Sequence, residues 1–412
     1  MGVAQRGYDV AVIGGGVVGF CCAWRTAQRG LRVLLLDPAP GSGASGVAAG
    51  MLAPVTELHH GEEELLRLSL DAARRYPDFV ADVAQASGVD PGFRPCGTLA
   101  VALDAGDRAV LDDLHDVRRR LGLTVERLTG RECRRLEPFL APQVTGGLHV
   151  AGDHQVDSRR LLTALRAAAE RAGVHVVAQS AAVQVAGDRA TGVRLPDGTT
   201  VPAGQVLLAA GCHSAGVDGV PDHARPPVRP VKGQVLRLRV PEAVRPLLSR
   251  TVRGTVRGFD VYLVPREDGE IVVGATVEEL GFDQTVTAGG VYELLRDAMA
   301  LVPGVAEVAL VETSARLRPG SPDNAPILGP TRLPGLAVAT GHHRNGILLA
   351  GVTGDAVAEL LATGSVPAAL ESFSPQRFAA SPSAASPTDT TPTDLVQQGF
   401  VQQGFVQQGG RR

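Results

Sequence analysis

Residues 9–37, DVAVIGGGVVGFCCAWRTAQRGLRVLLLD, read as strand, glycine turn, helix and second strand. The apolar run at 10–13 suits a strand buried on both faces of a parallel sheet. Gly14, Gly16 and Gly19 then supply G-x-G-x-x-G spacing: one glycine for a tight turn, one for close approach of backbone to a pyrophosphate, one for close packing of helix on strand. The helix that follows directs unpaired N–H groups and the positive end of its dipole at that pyrophosphate. A second apolar strand, 31–36, ends in Asp37, where a carboxylate accepts hydrogen bonds from a ribose 2′-OH. An acid there repels a 2′-phosphate, so the expected cofactor is an unphosphorylated adenine dinucleotide, NAD or FAD. With 50 glycines in 412 residues the spacing alone is weak. The flanking strands, helix and acid make it specific.

The chain is long enough for two domains, because single cores stop growing at about 250–300 residues. Its 44% hydrophobic and 20% charged residues are those of a globular protein. A net charge of −3 gives no basic footprint, so no nucleic-acid partner is expected. The early apolar run is broken by glycines and lacks a basic leader, and no uninterrupted apolar run is long enough for a membrane span. Cysteines 21, 22, 96, 133 and 212 form no C-x-x-C pair, and the ten histidines form no zinc pattern. The expectation is a cytoplasmic protein with reduced, structural thiols and no metal.

Along the chain, residues 38–51 form a loop of small residues. Residues 62–86 have helical periodicity, with Pro77 expected to kink or split them. Helices are predicted at 108–121, at 158–172 behind a cap at Asp157 or Ser158, and at 290–301. Strands are predicted at 97–103, 174–177 and 181–185, and the buried run 205–211 ends in Gly211. The segments 234–240, 261–264 and 271–275 alternate like antiparallel strands and mark a second, sheet-based region. A buried strand returns at 336–340, followed by a glycine-bounded loop at 341–346 and a helix from 347, a second anion-receptive helix start.

The fold class expected is therefore α/β, α+β overall. A Rossmann-type dinucleotide-binding domain is assembled from 1–90, 145–225 and 316–371. A substrate-binding domain with a mostly antiparallel sheet comes from 91–144 and 226–315. Residues 372–412 turn Ser/Pro/Thr/Ala-rich and end in VQQGF repeats, a composition expected to remain disordered.

Five motifs stand in one order: the glycine turn, AAGML at 48–52, YLVPR at 262–266, LRPG at 317–320 and GHHRNGILL at 341–349. With them the chain resembles the D-amino-acid oxidase family of FAD-dependent amine oxidases, colinearly from about residue 7 to residue 365. Within the family it is most similar to the glycine-oxidising flavoenzymes of thiamine biosynthesis. The resemblance implies non-covalent FAD, since no cysteine lies near LRPG. It implies Val17 and Val18 against the pyrophosphate and Asp37 on the adenosine ribose, where relatives commonly carry glutamate. Ala44, Ser45, Ala49, Gly50 and Met51 would wrap the flavin end, Ala182 would meet the adenine edge, and Gly211 would close a strand beside the cofactor. His342, His343, Arg344, Asn345, Gly346, Ile347 and Leu348 would cradle the isoalloxazine. For the substrate, the resemblance implies Arg318 as the carboxylate clamp, Tyr262 as a further donor to that carboxylate, and Arg344 as a bridge between flavin loop and substrate. Asp260 falls at a variable position, and His213 stands where relatives often carry tryptophan.

The implied reaction is oxidation of the Cα–N bond of a small amino acid to an imine. Hydrolysis yields glyoxylate and ammonia from glycine, and oxygen is reduced to hydrogen peroxide. The lack of an acid–base pair fits, because the cofactor carries the chemistry and the protein orients it. Alternatives are a sarcosine or D-amino-acid oxidase, a D-amino-acid dehydrogenase that passes electrons to a quinone, and a non-catalytic FAD-binding module. A homo-oligomer and a thiazole-forming partner enzyme are further expectations of the resemblance.

Overall fold

The computed structural model describes residues 7–59 and 61–378. The tail expected to be disordered lies, apart from 372–378, outside them. The apolar runs read above form the core of one sheet. Five strands lie parallel in the order Leu336–Thr340, Thr200–Leu208, Tyr8–Ile13, Val33–Leu36 and His175–Val177. An antiparallel ribbon, Ala182–Ala186 with Arg189–Arg194, joins through the start of Thr200–Leu208. Helices Val17–Gln28, Glu63–Ser87, Ser158–Arg171 and Gly346–Thr363 share one apolar core with this sheet. Asp157 caps the third of them, accepting from the Arg159 and Arg160 N–H groups.

Strands Tyr8–Ile13 and Leu336–Thr340 run the same way and each feeds a helix, so both helix starts lie at one edge of the sheet. The two helices touch closely. A methyl group on Gly354 would stand 2.5 Å from the Cys21 Sγ and 3.2 Å from the Cys21 backbone.

A second, eight-stranded sheet runs Ala309–Gly320, Arg229–Arg239, Glu270–Gly274, Phe259–Pro265, Thr251–Val256, Thr98–Ala102, Gly146–Val150 and Glu126–Thr129. All its pairs are antiparallel except Thr251–Val256 with Thr98–Ala102. Its separate core includes helix Ala288–Leu301. In a small third sheet, Met51–Leu52 at the end of the AAGML loop pairs with His154–Val156, which pairs in turn with Phe93–Arg94.

Two expectations need correction. Residues 146–150 and 316–320 pair within the second sheet, not the nucleotide-type sheet, so the boundary at 145 gives a whole strand to the wrong domain and the boundary at 316 cuts through another. Pro77 does not split its helix, which runs unbroken from Glu63 to Ser87. The buried side chains Leu66, Tyr76, Phe79 and Val83 hold that face to the core on both sides of the proline, outweighing the lost hydrogen bond. Helix Gly346–Thr363 is long enough to cross a membrane, with a mean hydropathy of 1.4 over 18 residues, but Asp355 and Glu359 interrupt its apolar run and 72% of it is buried inside the fold. Its apolarity is that of a core helix.

Candidate active site

The glycine turn is built as read. A methyl group on Gly19 would stand 2.0 Å from the Gly14 carbonyl oxygen, so only glycine lets this helix sit on its strand. Asp37 Oδ2 accepts from the Gly15 N–H at 2.7 Å and Oδ1 from the Ala39 N–H at 2.8 Å, which fixes the carboxylate beside the turn. Ser45, in the short 3-10 helix Ala44–Gly46, accepts from the Val17 N–H at 3.1 Å. The Val18 N–H makes no hydrogen bond among the described residues. Gly211 opens a 3-10 turn after the Thr200–Leu208 strand, and Thr340 donates to its carbonyl at 3.0 Å. Ala182 begins the antiparallel ribbon, across from Arg194.

The HHRNG loop lies against LRPG. The His343 N–H donates to the Pro319 carbonyl at 2.9 Å, and His342 bridges to Gly320. His342 is buried, with Nε2 3.1 Å from the Thr353 hydroxyl, and burial pulls its pKa down to about 4. His343, held at a φ of +46°, is pulled down to about 3, first by burial and then by the cationic arginines around it. Both imidazoles are therefore neutral at pH 7. After Asn345, helix Gly346–Thr363 begins, and the buried Ile347 and Leu348 N–H groups make no hydrogen bond among the described residues.

One face of the second sheet carries the substrate candidates. Arg253 is across from Tyr262, Tyr262 from Gly274, and Gly274 from Val235, so all four share a face. Two glycines leave room for the two larger side chains. A methyl group on Gly274 would stand 2.4 Å from the Tyr262 hydroxyl, and one on Gly233 would stand 2.5 Å from both terminal nitrogens of Arg318. Burial pushes the Tyr262 phenol up, against the pull of the Arg318 guanidinium, so it stays protonated and able to donate. Val235, Val264 and Val272 on this sheet pack with Ala49, Met51 and Tyr262, bringing the AAGML loop onto the same face.

The charges here are sorted. Arg253 is paired with Glu57 at 2.9 Å, and Arg344 with Glu62; Arg344 also donates to the Glu57 carbonyl at 3.2 Å. Arg318 donates to the carbonyls of Thr276, at 3.2 Å, and Lys232, at 3.5 Å, and has no carboxylate partner among the described residues. Glu57, Glu62 and Arg253 were not singled out from the sequence, since each pair joins residues far apart in the chain. The segment bearing Glu57 is itself held from both sides. The buried Asp153 accepts from the Val55 and Thr56 N–H groups, and the buried Arg118 donates to the Val55 and Thr56 carbonyls. His213 stacks on Phe282 with centroids 5.2 Å apart, and Asp260 accepts from the Thr255 hydroxyl at 2.7 Å.

Several buried polar groups lack a partner among the described residues: the Gly50, Ile347 and Leu348 N–H groups and His343 Nδ1. They lie on the two loops that meet the Tyr262 face, as a flat hydrogen-bonding group held there requires. The residues present thus fit a flavin.

Comparison with known proteins agrees with this geometry. The sequence profile of the FAD dependent oxidoreductase family (DAO) matches residues 9–360, and the chain belongs to that family. It is an FAD-dependent oxidoreductase. The chain is 34% identical to the glycine oxidase of Geobacillus kaustophilus over 358 residues, covering 86% of this chain and 93% of that one. It is also 34% identical over 382 residues to the bifunctional protein ThiO/ThiG of Synechocystis sp., covering 91% of this chain. The chain spans 54% of that bifunctional protein, about half its length. The crystal structure of the Geobacillus kaustophilus glycine oxidase superposes with a TM-score of 0.82 at 34% identity, covering 90% of this chain and 99% of that one. An iminodiacetate oxidase from Chelativorans sp. superposes at 0.80 with 28% identity, covering 89% and 98%.

Proposed function

We propose that this chain is a glycine oxidase: with water and oxygen, it converts glycine to glyoxylate, ammonia and hydrogen peroxide. The observation that carries the reading is the sorted charge of the site. Of the three arginines Arg253, Arg318 and Arg344, two are paired with glutamates, and Arg318 has no carboxylate partner among the described residues and is left for an incoming carboxylate. Arg318 clamps that carboxylate, the protonated Tyr262 donates to it, and Arg344, steadied by Glu62, bridges the flavin loop to the pocket. FAD, held by the glycine turn and the two loops, would supply the two-electron acceptor for the substrate Cα–H. The apolar wall of Val235, Met51 and Ala275 excludes water from the reacting face.

In this reading Gly14, Gly16, Val17, Val18, Gly19 and Asp37 hold the adenylate half. Ala44, Ser45, Ala49, Gly50 and Met51, with residues 342–348, hold the flavin half, while Ala182 meets the adenine edge and Gly211 lies at a strand end beside the cofactor. The nucleotide-type sheet with its helices forms the cofactor domain and the eight-stranded sheet the substrate domain. We further read the chain as a cytoplasmic enzyme, in keeping with five free thiols, and as one that passes its imine to a thiazole-forming partner. The relatives named as bifunctional ThiO/ThiG proteins support that partnership, since the matched part fills only about half of each.

Peroxide production by the flavin-loaded protein in air, on glycine, sarcosine and D-alanine, tests the activity. Glycine turnover at least equal to the others is expected. A flavin that amino acids reduce but oxygen fails to reoxidise would reassign the chain as a dehydrogenase.

A further inference from the structure

Arg266 closes the YLVPR segment, one residue beyond the strand that carries Tyr262. Its side chain is buried and turns away from solvent into the joint between the sheets. Nη2 donates to the Ala49 carbonyl at 2.6 Å, and Nη1 donates to Gln155 Oε1 at 2.6 Å and to the Val156 carbonyl at 3.1 Å. The nearest carboxylate, on Asp157, is 3.9 Å from Nε. A buried guanidinium is costly, and here much of it is spent on backbone carbonyls.

The Ala49 carbonyl belongs to the same peptide unit as the Gly50 N–H. That peptide is trans, so carbonyl and N–H point to opposite sides. Gly50 is held by the Val156 N–H donating to its own carbonyl at 2.8 Å, yet its N–H has no acceptor among the described residues. A cation on the oxygen of an amide draws electron density toward it and makes the N–H a stronger donor. We propose that Arg266 is a positioning residue that polarises the Ala49–Gly50 peptide, so that the Gly50 N–H donates strongly to the flavin and favours its reduced, electron-rich form. This rests on the reading above that residues 49–51 flank the flavin.

The test uses the FAD-loaded full chain with Arg266→Lys, which keeps the charge but cannot span Ala49 and Gln155 together. Gln155→Leu is the second variant; it removes the anchor of the other arm and leaves the arginine in place. Flavin absorption, FAD dissociation constant, midpoint potential and Tm are measured without any amino acid, so the outcome is separate from whether glycine is the substrate. Arg266→Lys is expected to bind FAD at least about tenfold more weakly, the size of one charged hydrogen bond, and to titrate at a lower potential with a shifted spectrum. Gln155→Leu should shift the potential in the same direction by less, and carries the test alone if the lysine variant does not fold. Wild-type potential and spectrum in the folded variants would overturn the proposal. So would weaker FAD binding at an unmoved potential, because loosened packing acts on both redox states alike.

Discussion

Gly233→Ala is the sharpest probe of the carboxylate clamp, because it changes no charged group. The added methyl would stand 2.5 Å from both terminal nitrogens of Arg318 and 2.6 Å from its central carbon, against ordinary contact beginning at 3.4 Å. The guanidinium must therefore lift from the strand by nearly an ångström, and its 3.2 Å bond to the Thr276 carbonyl resists any larger swing. Misplacing a substrate-orienting group by ~1 Å costs on the order of 10²-fold. That equals about 2.7 kcal/mol, within the ~2–5 kcal/mol for losing such a pair outright. Peroxide formation across a glycine series, with FAD content and Tm measured alongside, should show kcat/KM about 100-fold down, mostly through KM. Gly289→Ala, where nothing lies within 4 Å of the new methyl, is the control and should leave both unchanged. A Gly233→Ala enzyme that keeps wild-type glycine kinetics at full FAD content would refute the placement of substrate on Arg318.

Tyr262→Phe should raise KM for glycine about tenfold with little change in Tm, the loss of one hydrogen bond to a charged group; an unchanged KM removes Tyr262 from the clamp. Arg344→Ala should lower stability by about 1–3 kcal/mol, because Glu62 loses its partner, yet reduce glycine kcat/KM less than Arg318→Ala; the reverse ranking would make Arg344 the clamp. His342 and His343, at about 4 and about 3 in the folded chain, take up protons later than unfolded imidazoles at 6.5. Their stabilisation is complete above pH 6.5 and is lost as pH falls toward those values. Asp153, raised by burial to about 6 from 3.8, acts in the opposite sense between those two values. His342→Gln should therefore flatten the acid decline of Tm, and a curve parallel to wild type counts against it. Burial holds the Cys21, Cys22, Cys133 and Cys212 thiols up, so a thiol reagent at pH 8 should modify Cys96 first. Two or more fast thiols in the native protein would contradict that.

The nucleotide-type sheet was legible because stretches such as 10–13, 33–36 and 336–339 are buried on both faces and read as unbroken apolar runs. The second sheet was only partly so. Thr251–Val256 (TVRGTV) and Ala309–Gly320 carry arginines, glycines and exposed positions, and pairing with neighbours decides their conformation. The chain positions of Arg318, Tyr262 and the HHRNG loop came from motif order. The ion pairs around them left no local trace, since Glu57 reaches Arg253 and Glu62 reaches Arg344 only after folding. Nothing within YLVPR marks the role of Arg266, because its partners Ala49 and Gln155 lie more than a hundred residues away.

The close seat of Gly354 on Cys21 makes the two nucleotide-type helices act as the jaws of a caliper. Each jaw opens on free N–H groups at the same sheet edge, and neither can slide without driving a sulfur atom into the other's backbone. Their separation is thus a fixed length against which a cofactor is gauged. A flavin carrying the adenylate half can reach both jaws at once; a mononucleotide, however well its ring fits, meets only one.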